Sequence, residues 1–337
     1  MRLLNELFSR RRSRTDADRT DRIGDAVARV LAMNPRLKNA HHHEERLAQS
    51  LSRALDYTDD LVEALPSVRD ANPEAWQSDP AIRAFFATPA DLSQAFSRSE
   101  TLRAWFERNA DSTEAYAVLG MAMAERHILG VALEGDCVRH DVPQTTLCFS
   151  DHRVTICSDS DASLRAEIGR RLIDQLALAG FAGLAANRRA LASESRVLLE
   201  KRVALLESQG AGLRAVVGAT ATTDADELAR IQAEIEMNSR ALARLRVPGQ
   251  SAALELEYVC DVLSKPSDHL YVHSRHVLLD SMNVVQPEGS EAGKKIEFHY
   301  ARIPGNPAVV RTFVLVRFPR RELLAGGLHI DAATRAI

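Results

Sequence analysis

His269, His273 and His276 come nearest, in residue type and spacing, to a metal site in this 337-residue chain. Imidazole nitrogens bind zinc and related ions. On a helix these three would share a face, with Asp268, Asp280 or Cys260 available to complete a ligand set. On a strand, His273 and His276 project to opposite faces and the set dissolves. The neighbours Tyr271, Val272, Val277 and Leu278 favour the strand. His41, His42 and His43 precede Glu44 and Glu45. His41 and Glu45 are one helical turn apart, but adjacent histidines point in different directions. Asp151-His152-Arg153 stands near His140, Asp141 and Cys148, an acid–base pair with a thiol beside it. Ordinary turn chemistry accounts for the same residues. The chain contains no H-E-x-x-H, G-x-S-x-G, P-loop or G-x-G-x-x-G. No cofactor is expected.

Two stretches offer binding rather than catalysis. In Met1 to Arg14, Leu3, Leu4, Leu7 and Phe8 share a helical face, and Arg10, Arg11, Arg12 and Arg14 follow. Such a segment can lie weakly in an anionic headgroup layer, or pack on its own protein. Further on, Leu228, Ile231, Ile235, Asn238, Leu242 and Leu245 recur at alternating spacings of three and four, flanked by charges. That is a heptad seam with one polar core position, suited to a partner helix.

These stretches are positioned by a chain that reads as mainly helical α+β. Aromatics are sparse at 5%, which helices built from Ala and Leu tolerate. The net charge of −3 gives no general attraction to nucleic acid, and no nucleic-acid partner is expected. Four cysteines without a C-x-x-C pair indicate reduced, packed thiols. The first residues carry no apolar core of a secretory leader. The longest apolar run, Leu176 to Ala186, falls short of the roughly 20 residues of a membrane span. Its Gly180 and Gly183 suit close helix packing.

The expected organisation has five parts. Residues 1–20 form the basic N-terminal segment and a polar linker, Thr15 to Thr20. Residues 21–125 form a helical domain punctuated by Pro35, Pro66, Pro73, Pro80 and Pro89. Thr88-Pro89-Ala90-Asp91 marks a helix start inside it, and Leu92, Phe96, Leu102, Trp105 and Phe106 form its core. Residues 126–158 hold a β-hairpin turning at Asp151-His152. Residues 159–247 form a coiled-coil-like helical hairpin, where Leu184, Leu191, Leu198 and Leu205 recur every seven residues beside Ala192, Leu199 and Leu206. A breaker-rich stretch with Gly210, Gly212 and Gly218 separates its two helices. Residues 248–337 contain a small antiparallel sheet. Its best hairpin is Lys294 to Ile303 and Val309 to Phe318 around Pro304-Gly305-Asn306-Pro307, with Ile296, Phe298 and Tyr300 on one face. Strands before and after the helical hairpin can join one sheet.

The function expected is a non-catalytic intracellular scaffold or signalling adaptor. Its helical hairpin would bind a protein partner or a second copy of the chain. The expected location is cytoplasmic, with weak peripheral contact at the inner face of the membrane. The alternative is a metal-dependent enzyme or metal-binding protein using His269, His273 and His276.

Overall fold

The computed structural model describes residues 2–134, 137–210, 222–245, 248–287, 289–290, 293–304 and 309–325; side chains within 2–16, 132–138, 206–225 and 246–249 lie outside the description. The fold is α+β, with nine helices and a six-stranded sheet among the described residues. By their internal contacts the residues form two units, Met1–Tyr57 with Ile173–Asp268, and Thr58–Leu172 with His269–Ile337.

The first unit is helical. Helix α1 (Arg2–Met33) runs unbroken through Thr15 to Thr20, where the sequence suggests a linker. No Gly or Pro interrupts that stretch, and Arg19 donates to Ser52 Oγ (2.9 Å) and Asp56 Oδ2 (2.8 Å) on helix α2 (His43–Glu63). The side chains of Leu3, Leu4, Leu7, Phe8, Arg10, Arg11 and Arg12 lie outside the described residues. Leu47 and Leu51 of α2 are fully buried. Helix α9 (Pro248–Ser264) joins this core through Leu256, Val259 and Leu263.

Helix α7 (Asp161–Gly210) meets α9 at Gly180, where an added Cβ would stand 2.6 Å from Val259 Cα. Glycine is required because the two backbones touch. Helix α8 (Thr222–Arg244) buries part of its seam. Ile231 and Asn238 are buried, and Leu228, Ile235, Leu242 and Leu245 are half-buried. Asn238 Nδ2 donates to the Leu191 carbonyl of α7 at 3.2 Å, which satisfies the one polar core position. The stretch holding Gly212 and Gly218 lies outside the described residues.

The second unit holds the sheet, which is large rather than small. Its strands are β1 (Arg69–Asp70), β2 (Glu114–Glu134), β3 (Cys137–Ser158), β4 (Tyr271–Leu279), β5 (Lys294–Ile303) and β6 (Val309–Pro319). They pair in the order β3-β2-β6-β5-β4, all antiparallel, with the short β1 parallel to β6. Strands from before and after the long helices therefore share one sheet through the β2–β6 pair. Residues 305–308, the core of the expected Pro-Gly-Asn-Pro turn, lie outside the described residues.

Two expectations are corrected here. Within the expected helical domain, Glu114 to Glu125 is strand, although its Ala and Met residues favour helix. Pairing with β6 from Glu114↔Pro319 to Met121↔Thr312 overrides that local preference. Asp151-His152 is no hairpin turn either, because β3 continues through it against β2.

Helices α3 (Pro73–Ser78), α4 (Pro80–Phe85), α5 (Pro89–Ser97) and α6 (Glu100–Arg108) cover one face of the sheet. Each of the first three has Pro just inside its start, behind an Asn72, Asp79 or Thr88 cap. Thr88 and Asp91 form a reciprocal capping box. Leu92, Phe96, Leu102, Trp105 and Phe106 are buried against Ala115, Ala117, Leu119 and Met121 of β2. The sheet curls strongly. Phe149 of β3 and Phe298 of β5 have ring centroids 5.2 Å apart, although β2 and β6 intervene in strand order. Residues 283–285 link the outer strands, with bridges Thr146↔Val284 and Leu279↔Val285. The opposite face, carrying Tyr116, Val118, Phe313 and Leu315, receives the last turns of α2 and the first of α7.

Candidate functional site

Strand β3 carries more residues than β2 opposite it, and the surplus creates the site. Gly120 pairs with Arg153 and Ala122 with Ser150, so Asp151 and His152 both stand opposite Met121. This is a β-bulge, with Asp151 at φ 51°, a left-handed conformation that aspartate tolerates better than most residues. The bulge sends the two side chains to different surroundings. His152 stacks on Phe86, ring centroids 4.6 Å apart, and its Nε2–H donates to the Phe85 carbonyl at 2.9 Å. A carbonyl only accepts, so this bond places the proton on Nε2. Asp151 accepts from Arg153 Nε (2.8 Å) and from Arg311 Nη1 of β6 (2.9 Å). Arg311 Nη2 also donates to the Asp151 carbonyl at 2.7 Å. Hydrogen bonds from Arg153 and then Arg311 hold the Asp151 carboxyl below its usual range.

A second bulge sits between Ala117↔Cys157 and Leu119↔Val154. It turns both Thr155 and Ile156 towards a cavity of about 340 Å³ beside this cluster. Leu61 of α2, Leu65 just beyond it, and Ile168 and Leu172 of α7 form one wall, and Val118 and Phe313 lie on the sheet side. Gly120, Arg153 and Arg311 also line the space. The cavity is apolar apart from these arginines and Thr155. Two guanidinium groups facing one carboxylate leave a net charge of about +1 there.

The candidate metal clusters do not assemble. His273 and His276 lie on β4 at a spacing of three, hence on opposite faces, and His269 precedes the strand. His273 packs against the rings of Tyr271 and Tyr300, while His276 Nε2 stands 3.7 Å from Glu297 Oε1. Among the described residues no three His, Cys, Asp or Glu side chains converge on a cation-sized space. His41 and His42 precede α2, so His41 has no helical spacing to Glu45. His43 Nδ1 donates to the Ala40 carbonyl at 3.0 Å. His140 and Asp141 lie about ten residues along β3 from Asp151, on the order of 30 Å. Burial pushes the Cys157 thiol up to about 12 and raises that of Cys260, which suits packed thiols rather than nucleophiles. Among the described residues no helix is long and apolar enough to cross a membrane.

In the first unit the broad apolar stripe of α7 divides. Leu184 and Leu198 are buried, whereas Leu199 and Val203 are 48% and 52% exposed. Ala192, Arg196 and Glu200 continue this uncovered line, and Arg196 Nε donates to Glu200 Oε1 at 2.9 Å. Compared with known proteins, the chain matches no family model, no curated sequence and no solved structure.

Sequence reasoning noted Asp151, His152 and Arg153 but missed Arg311 and Gly120. Arg311 reads as the polar half of an alternating strand. Only the pairing of β2 with both β3 and β6 sets it against Asp151.

His152 also imposes a pH dependence. Desolvation lowers its pKa from the ordinary 6.5, and the same cause lowers His299. A group with a depressed folded pKa stabilises the fold fully above the unfolded value. That stability is lost as pH falls from about 6.5 through the folded pKa. Unfolding free energy should therefore decrease between pH 7.5 and pH 5. His152→Phe keeps a ring on Phe86 but removes the titration. Denaturant unfolding across this range should show a shallower decrease in the variant, the remainder coming from His299. An unchanged slope would show that His152 is not the titrating group.

Proposed function

We propose that this chain is a non-catalytic scaffold or adaptor whose α7–α8 hairpin associates with a second copy of itself. The observation that carries this reading is the uncovered line on α7. Leu199 and Val203 stand 48% and 52% exposed beside a line that α8 already covers. Apolar residues repeated at helical spacing on an exposed face favour a partner helix.

The charges favour a copy of the same helix. With a twofold axis beside Val197 and Leu198, an antiparallel copy sets Ala192 opposite Val203. It also brings each Arg196 next to Glu200 of the other copy. Small meets large, and unlike charges meet.

Sedimentation equilibrium tests this. The wild-type protein is expected to show a concentration-dependent mass between monomer and dimer. Leu199→Glu/Val203→Glu places like charges in the contact and should give a monomer that still folds, because both side chains are exposed. A wild-type protein that stays monomeric at every concentration overturns the reading. So does a double variant that dimerises equally well.

A further inference from the structure

We propose that the cavity beside Asp151 binds a single-tailed amphiphile, its apolar chain among the aliphatic side chains and its carboxylate on Arg153 and Arg311. The volume of about 340 Å³ lies at the lower end of small-molecule sites, about 300–1,000 Å³. Its walls suit a hydrocarbon. Leu61, Ile168 and Leu172 enter from the helices, and Val118, Ile156 and Phe313 from the sheet. None of these six offers a side-chain hydrogen bond, so a chain bound there is favoured by burial alone.

The polar end is equally specific. Asp151 and its carbonyl occupy Arg153 Nε and both terminal nitrogens of Arg311. The terminal nitrogens of Arg153 and the Nε of Arg311 take no part in these bonds to Asp151. These are donors of the kind a carboxylate takes two at a time. Asp151 offsets one of the two cations. The residual charge of about +1 matches a monoanion better than a dianionic phosphate.

Backbone details keep the space open. An added Cβ at Gly120 would stand 3.8 Å from both Arg311 Nε and the Arg153 carbonyl. That is ordinary contact, so no steric clash requires glycine there. A side chain at this position would nevertheless grow into the space between the arginines and the cavity. Glycine inside a strand often marks such a close approach. The second bulge of β3 aims both Thr155 and Ile156 into the cavity, which a regular strand would send to opposite faces.

Isothermal titration of the full-length protein with decanoate below its micelle concentration tests the assignment. Decanol and inorganic phosphate serve as the chain-only and anion-only probes. Decanoate is expected to bind with one-to-one stoichiometry. Decanol should bind about 10- to 100-fold more weakly, the worth of a charged hydrogen bond. Phosphate should bind more weakly still. Arg153 is largely exposed, so Arg153→Gln should fold normally. It should weaken decanoate by a similar factor and leave decanol unchanged. Gly120→Leu should abolish both; if it does not fold, Arg153→Gln carries the test. The assignment is overturned if decanoate fails to bind or decanol binds equally tightly. It is also overturned if phosphate competes at equal affinity, or if Arg153→Gln leaves decanoate affinity intact.

Discussion

Replacing Phe298 with alanine should lower the unfolding free energy by about 3–5 kcal/mol, the range for deleting a buried phenyl ring. Phe298 is 1% exposed. It lies where the curl of the sheet brings β5 towards β3, with Phe149 at 5.2 Å and Phe85 of α4 at 5.8 Å between ring centroids. Phe85 and Phe149 themselves meet edge to face at 5.0 Å, so the three rings form one cluster from three elements. Pairing of Phe298 with Arg275 of β4, and of His299 with Phe313 of β6, holds the backbone there and limits how far the site can collapse. That argues for the upper half of the range. Val310→Ala, on the neighbouring strand but 58% exposed, should change stability by about 0.5 kcal/mol or less. Denaturant unfolding of both variants measures the contrast. Equal effects would mean that the aromatic cluster does not form.

The second large effect should come from Arg165. Helix α2 ends at Glu63, leaving carbonyls of its last turn without helical partners. Arg165, in the first turns of α7, reaches across to one of them and to two residues just past the helix. Its Nη1 donates to the Val62 carbonyl (2.9 Å) and the Leu65 carbonyl (3.3 Å), and its Nη2 to that of Pro66 (2.8 Å). Asp161 Oδ1, at 2.9 Å from Nε, orients the guanidinium from one turn away. Only 21% of the side chain is exposed. Hydrogen bonds to a charged group contribute about 1.5–3 kcal/mol each, but these share one side chain and are not additive. Arg165→Met should cost about 2–4 kcal/mol. Arg165→Lys should recover only part, because an ammonium cannot present the planar fork that spans three carbonyls. Arg171, 60% exposed and paired with Glu167, is the control, and Arg171→Met should cost less than about 1 kcal/mol. Equal losses at Arg165 and Arg171 would show that the cap contributes nothing.

The contrast between these two residues follows the range of the interactions behind them. Phe298 is legible from its own strand. Ile296, Phe298 and Tyr300 alternate with polar residues, and the first two are buried as that alternation predicts. Tyr300 is only half-buried and His299 is not free in solvent, because helices cover both faces of this sheet. Arg165 leaves no trace in the sequence, since its acceptors lie about a hundred residues earlier.

By itself the sequence determined what short-range periodicity and turn chemistry can specify. The Thr88 capping box, the strands Lys294–Ile303 and Val309–Pro319 and the helical period of α8 all follow from neighbours within a few turns or residues. Tertiary structure alone decided that residues 114–125 are strand and that β3 passes through Asp151 as a bulge. It alone joined Arg311 to Asp151 across 160 residues and placed both beside an apolar cavity. Strand pairing between distant segments is non-local, and its energy comes from partners that no local window contains.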